Sequence, residues 1–261
     1  MRQSSPTRLL ASPLLLVGLL LVAAAGAGGL WYLFLRPAGP PPVVSGSPGA
    51  SPTATTAVAS PVAGSPGATA SGGTGGSAGS WRVDASIGAF SDFSGSFVGY
   101  RVQEQLVNVG GNTAVGRTPD VTGELTLEGT TVTSASFSAQ LEDLESDDSR
   151  RDGRVQEALS VRQFPAATFV LGSPIQLAAL PAEGQEAQAT ATGKLTIRDV
   201  TRDVQFPLTA ALRGDVLTVR GALEIRFDHF SIPKPSSFLV LSIADTGTIE
   251  VQLQMTRAQT A

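Results

Sequence analysis

The sequence predicts an all-β fold, an antiparallel up-and-down β-barrel of about eight strands with one short α-helix, preceded by a transmembrane helix and a disordered linker. Three observations carry the folded part of that prediction. Many stretches alternate apolar and polar residues with period two, which gives a strand one buried and one wet face. Short polar reversals separate these stretches, as in a sandwich or barrel. One charge-dense segment, residues 142–162, interrupts the alternation and reads as a single helix.

The N-terminal elements come first. Arg2 and Arg8 precede an apolar run closed by Arg36, and nothing from Leu14 to Leu35 is charged. A helix over that run is about 33 Å long at 1.5 Å per residue, close to the hydrocarbon thickness of a bilayer. Trp31 and Tyr32 lie near one end, where amphipathic rings favour the membrane interface. A cleaved signal peptide with Ala25-Gly26-Ala27 as its small-residue site competes with this reading. The apolar run resumes from Leu30 to Leu35, longer than such peptides need. The expectation is therefore a retained single-pass anchor at 9–36, residues 1–8 cytoplasmic, and the remainder extracytoplasmic at the cell membrane. Residues 37–80 contain no charge and no aromatic side chain, only small residues, Pro, Thr and Val. Such a segment cannot bury enough apolar surface to offset its ordering entropy, so it reads as a disordered tether.

The folded domain is expected at 81–257. Trp81 to Asp84 and Phe97 to Val102 read as the first strands, and Gly110-Gly111-Asn112 as a flexible loop. Val121 to Glu128 and Thr131 to Leu141 follow. In the latter, Ala135, Phe137, Ala139 and Leu141 alternate with Ser134, Ser136, Ser138 and Gln140. The helix is expected to begin near Asp148 or Ser149, both good N-cap types, and to stop before Pro165. Val155, Leu159 and Val161 would face the barrel. Thr168 to Leu171 returns to strand. The clearest hairpin runs from Ala189 to Leu212. Ala191, Gly193, Leu195 and Ile197 share a face on its first arm, and Val204, Phe206, Leu208 and Ala210 on its second. Strands are expected again at Val216 to Phe227, Phe238 to Ile243 and Ile249 to Met255.

Composition narrows the function. There is no cysteine, so disulfides, thiolate metal sites and a cysteine nucleophile are excluded. A net charge of −4 without a basic cluster argues against nucleic acid as a partner. No Gly-rich phosphate loop, zinc motif or nucleophile elbow is present, so the expectation is a non-enzymatic protein without cofactor or metal. Asp147, Asp148 and Asp152 lack calcium-loop spacing. The single His229 reads as structural or solvent-exposed.

Four stretches together resemble the YceI-like family of bacterial extracytoplasmic lipid-binding proteins. They are Ser149-Arg150-Arg151-Asp152 followed by Phe164-Pro165-Ala166-Ala167-Thr168-Phe169; Thr192 to Ile197; Val200 to Val204; and Arg226 to Ile232. The resemblance covers about Trp81 to Arg257. It implies a lipocalin-like barrel with a closing helix and an elongated apolar interior that takes a polyisoprenoid or similar amphiphilic lipid. Arg154 departs from the family pattern, standing where many members carry a histidine.

The candidate cavity-lining residues are Phe137, Ala139, Leu195, Ile197, Phe206, Leu208, Leu223, Ile225 and Phe227. Periodicity alone is equally consistent with a filled core; the resemblance and the small residues Ala139, Ala191, Gly193 and Gly221 favour open space. Arg150, Arg151 and Arg154 are head-group candidates, since arginine suits phosphate geometry. The alternative is that they pair with Asp147, Asp148 and Glu157. The competing function is a non-catalytic surface interaction scaffold with a filled barrel.

Overall fold

The computed structural model describes residues 79–235 and 240–258. The expected cytoplasmic segment, the anchor at 9–36 and the tether as far as residue 78 lie outside the described residues. So do Phe238 and Leu239, the first residues of one expected strand. Gly79 and Ser80, assigned above to the tether, instead open the first strand, opposite Leu127 and Thr126.

Thirteen strand segments and one α-helix are described. The strands are β1 (Gly79–Val83), β2 (Phe97–Leu106), β3 (Gly110–Thr118), β4 (Val121–Glu128), β5 (Thr131–Gln140), β6 (Glu145–Ser146), β7 (Ala166–Leu171), β8 (Ile175–Gln176), β9 (Glu186–Ile197), β10 (Val200–Arg213), β11 (Val216–Arg226), β12 (Val240–Ile243) and β13 (Thr246–Arg257). Helix α1 (Ser149–Leu159) joins β6 to β7. The order β1-β4-β5-β7-β9-β10-β11-β13 closes on itself, because β13 also pairs with β1, giving an eight-stranded antiparallel barrel.

The extra segments are continuations of those eight wall positions. β1 and β2 lie along the same edge of β13, at Met255–Arg257 and Thr248–Gln252 respectively. The chain leaves the wall between them, over residues 84–96. β3 runs on into β4 across Pro119, which has no amide hydrogen to give the ladder. β5 and β6, β7 and β8, and β12 and β13 are likewise successive segments of one wall position. The wall is thus a simple up-and-down meander with interruptions. Gly110-Gly111-Asn112, expected as a loop, are the first residues of β3 and pair with Leu106, Gln105 and Glu104. The reversal is Val107 to Val109, with Asn108 at φ +62°. Two glycines carry no alternation to read, and their strand state comes from the partner across the ladder.

Helix α1 begins as expected. Asp148 is its N-cap, accepting from the Arg150 N–H at 2.9 Å. It ends at Ser160, which adopts a left-handed conformation and donates its N–H to the carbonyls of Gln156 and Glu157. It lies at the end of the barrel shared by the β2–β3 and β9–β10 turns; call this the upper end.

The lower end is solid. Trp81, Leu125, Leu127, Val132, Leu217, Leu253 and Met255 pack there as one cluster, and Met255 is 0% exposed. On the outer side of the wall, residues 84–96 form a strap over a second buried layer, and that layer is polar. Arg117 donates to Glu250 at 2.8 Å, both side chains being 2% exposed, and Arg101 also pairs with Glu250. The Arg117 guanidinium lies 4.5 Å and 4.3 Å from the ring centres of Phe93 and Phe97. Gln252 donates to the carbonyls of Phe93 and Gly95, and Gln254 to that of Ser94. The strap's backbone carbonyls are thereby satisfied by side chains of β13.

Candidate functional site

Above the solid end the barrel is hollow. A cavity of about 430 Å³ extends from mid-barrel to α1, with a lining that is overwhelmingly apolar. That volume lies within the range typical of small-molecule sites. β5 contributes Phe137 and Ala139; β9, Leu195 and Ile197; β10, Phe206 and Leu208; β11, Leu223 and Ile225; and Phe227 follows just beyond it. All nine candidate lining residues therefore border one space.

Others border it that the sequence reading did not select. Val98, Tyr100, Val102 and Glu104 point inward from β2, and Ile249, Val251 and Leu253 from β13. Their alternation is plain in the sequence; what was missing was the knowledge that β2 and β13 sit side by side. Val155, Ala158 and Leu159 close the upper end from α1. Residues three and four apart share a helix face, so Arg151, Val155, Ala158 and Leu159 form one stripe.

How a barrel lined with rings stays hollow is visible at its inward glycines. A Cβ built on Gly123 would lie 2.5 Å from the Phe137 ring, on Gly193 2.6 Å from Phe169, and on Gly116 2.5 Å from Tyr100. On Gly247 it would lie 2.9 Å from Phe227. Each large side chain lies back against the wall in the place of an absent neighbour, instead of crossing the lumen. This corrects one expectation. Gly193 and Gly221 do not leave open space themselves; they seat Phe169 and Leu208, whose Cδ2 is 2.6 Å from a Cβ on Gly221. Ala191 is 1% exposed, packed opposite Phe206. Of the four small residues named from the sequence, Ala139 borders the cavity.

The upper end is polar. Arg151 donates to Glu104 at 3.1 Å and pairs with Asp147, four residues earlier on the chain. Burial pushes the Arg151 pKa down, but Glu104 and Asp147 together push it further up, so it is held charged. Asn112 adds a hydrogen bond to Glu104 at 2.7 Å. Burial raises the Tyr100 phenol well above the ordinary tyrosine range, with its hydroxyl buried and without a hydrogen-bond partner among the described residues. Asp152 accepts from the Ser146 N–H at 2.9 Å and from its hydroxyl.

The three head-group candidates thus separate. Arg151 lines the cavity but is committed to two carboxylates, one of them Glu104, a partner the sequence did not suggest. Arg154 lines the cavity, and Arg150 does not. Asp147 and Asp148 serve Arg151 and the helix cap, and no three acidic or histidine residues among the described ones are grouped to hold a metal ion. His229 sits in a 3-10 turn, Asp228–Phe230, whose carbonyl at His229 accepts from Arg202 Nε at 2.9 Å.

Comparison with known proteins bears on this geometry. The family model described as the YceI-like domain matches residues 81–255. Among solved structures, a polyisoprenoid binding domain from Saccharophagus degradans superposes with a TM-score of 0.51 at 15% identity, over 68% of this chain and 98% of that one. BcnA from Burkholderia cenocepacia aligns with a TM-score of 0.49 at 22% identity, over 66% and 98%. No curated protein sequence matches. The Saccharophagus likeness supports the fold.

Proposed function

The chain belongs to the YceI-like domain family, and on that premise we propose that it is a binding protein whose barrel holds the hydrocarbon chain of a polyisoprenoid or similar amphiphilic lipid. The observation that carries this is the apolar hollow of about 430 Å³ between α1 and the solid lower end. Each Å² of apolar ligand surface moved from water into it contributes about 25 cal/mol, so affinity grows with chain length until the hollow is full. The name of the Saccharophagus structure, a polyisoprenoid binding domain, is in keeping with this. The scaffold alternative needs a filled barrel, and filling is confined to the lower end.

The sequence of residues 9–36 and 37–80 supports a further part of the proposal. An apolar anchor followed by a charge-free tether would hold the barrel outside the cell membrane, within reach of the lipids it binds.

Native mass spectrometry of the full chain extracted from membranes tests both parts. A retained anchor gives a mass that includes residues 1–36, and a chain starting beyond Ala27 removes the tethering. After solvent extraction and reloading with a C20 isoprenoid alcohol, the wild type is expected to carry it. Ala139→Phe, which fills the lumen, should carry several-fold less while folding normally. Equal loading in a folded Ala139→Phe variant would place the ligand elsewhere, and no loading of the wild type would sink the reading.

A further inference from the structure

We infer that the upper end of the cavity selects an amphiphile with one acidic head, a carboxylate or a phosphomonoester, bound by Arg154. This rests on the reading that an apolar chain fills the hollow, and it adds what the head must be.

Among the charged groups at this end of the barrel, Arg154 alone of the lining cations keeps its charge unpaired among the described residues. Glu104 is committed to Arg151 and Asn112, and Asp147 to Arg151. Asp148 accepts from the Arg150 N–H, and Asp152 from Ser146. Each carboxylate near the cavity's polar end therefore has its donor. Arg151 is spent in the same network, and Arg150 is off the lining. Arg154 is different: it borders the cavity, it is partly buried, and it forms no ion pair among the described residues. A guanidinium taken partly out of water without an ion-pair partner is costly, and a ligand anion offsets that cost.

Its position suits an amphiphile. On α1, Arg154 stands beside Val155 and one turn before Ala158, both in the lining. A head held by its guanidinium delivers the attached chain directly onto apolar surface. One free cation amid carboxylates matches a small head of low charge and not a pyrophosphate, whose further charge would meet Asp148 on the same lining.

The test uses three probes with one C20 isoprenoid chain: the alcohol, the carboxylic acid and the monophosphate. Each is titrated into the solvent-extracted full chain. The acid and the monophosphate are expected to bind about tenfold more tightly than the alcohol, the worth of one charge-assisted hydrogen bond. Raising salt should erode that advantage and leave the alcohol unchanged. Arg154→Gln should bring all three probes to within about twofold of one another, with the thermal midpoint as in wild type. Arg150→Gln should change nothing. A monophosphate that alone gains affinity identifies a phosphate head; equal gains admit a fatty or isoprenoid acid as well. Equal binding of all three probes to wild type, or an anion preference that survives Arg154→Gln, overturns the inference while leaving the cavity reading intact. Failure of every probe to bind overturns both.

Discussion

The hollow inside the barrel and the layer beneath the 84–96 strap lie on opposite sides of the same strands. Tyr100 and Val251 face one, Arg101 and Glu250 the other. The inner region is apolar and open. The outer one is polar and closed, with a carboxylate shared by two guanidiniums and two aromatic rings flanking Arg117. The difference shows that a rigid wall and a ligand space need opposite packing. Groups in the outer layer are fixed by directional hydrogen bonds to named partners, so that side of the wall cannot adapt. The inner side chains lie back against glycines and are fixed only by shape, which leaves the lumen able to accept a flexible chain.

Breaking the outer layer should have the largest effect. Glu250→Ala removes the carboxylate that Arg117 and Arg101 share, and breaking a buried ion pair from one side typically costs about 3–5 kcal/mol. Urea unfolding at neutral pH measures it. A loss near that of an exposed ion pair, below about 1 kcal/mol, would mean that the strap opens readily and the layer is wet.

A change of one methyl group inside the barrel sharpens the comparison from the other side. A Cβ on Gly193 would lie 2.3 Å from the Val170 carbonyl oxygen and 2.6 Å from the Phe169 ring. Gly193→Ala should therefore cost about 1–3 kcal/mol, as overpacking does, and should also lower lipid capacity by pushing Phe169 into the lumen. A neutral substitution would show that the rings are not seated on glycine.

The smallest effect concerns acid. Hydrogen bonds from Ser86 hold the Asp84 carboxyl below its ordinary pKa, and those from Ser94 do the same for Asp92. A carboxyl depressed in the folded state contributes stability that is present above the unfolded value, about 3.9, and is lost as pH falls through the folded one. Asp92 is exposed and Asp84 half-buried, and both belong to the strap, so the expected outcome is local. Protection of the amides over residues 84–96, taken relative to intrinsic exchange, should fall below about pH 4 while the cavity-lining strands stay protected. Equal protection of the strap on both sides of that pH would remove these turns as its fasteners.

Much of this molecule was legible before its structure. The period-two alternation at Ala135 to Leu141, Ala191 to Ile197 and Val204 to Leu208 named inward residues correctly, because a strand side chain's direction is set by its own position in the pleat. The Asp148 cap fixed the start of α1 from local chemistry alone, whereas its end at Ser160, ahead of Pro165, was not legible. Strand β3 (Gly110–Thr118) was missed, because Gly110, Gly111 and Gly116 have no side chain to alternate.

The sequence by itself determined which faces point inward, where the helix lies, and the family pattern running from Trp81 to Arg257. Tertiary structure alone decided whether the inward volume is filled or hollow, since volume is a sum across strands. Phe169 occupies lumen or wall according to what stands at Gly193, 24 positions away in the chain. It also decided that Glu250 is buried on an outward face, because its partner Arg117 is 133 positions distant and the strap that covers them leaves the wall between β1 and β2. Alternation is a property of neighbouring residues, and burial of a second face is a property of what the fold brings over it.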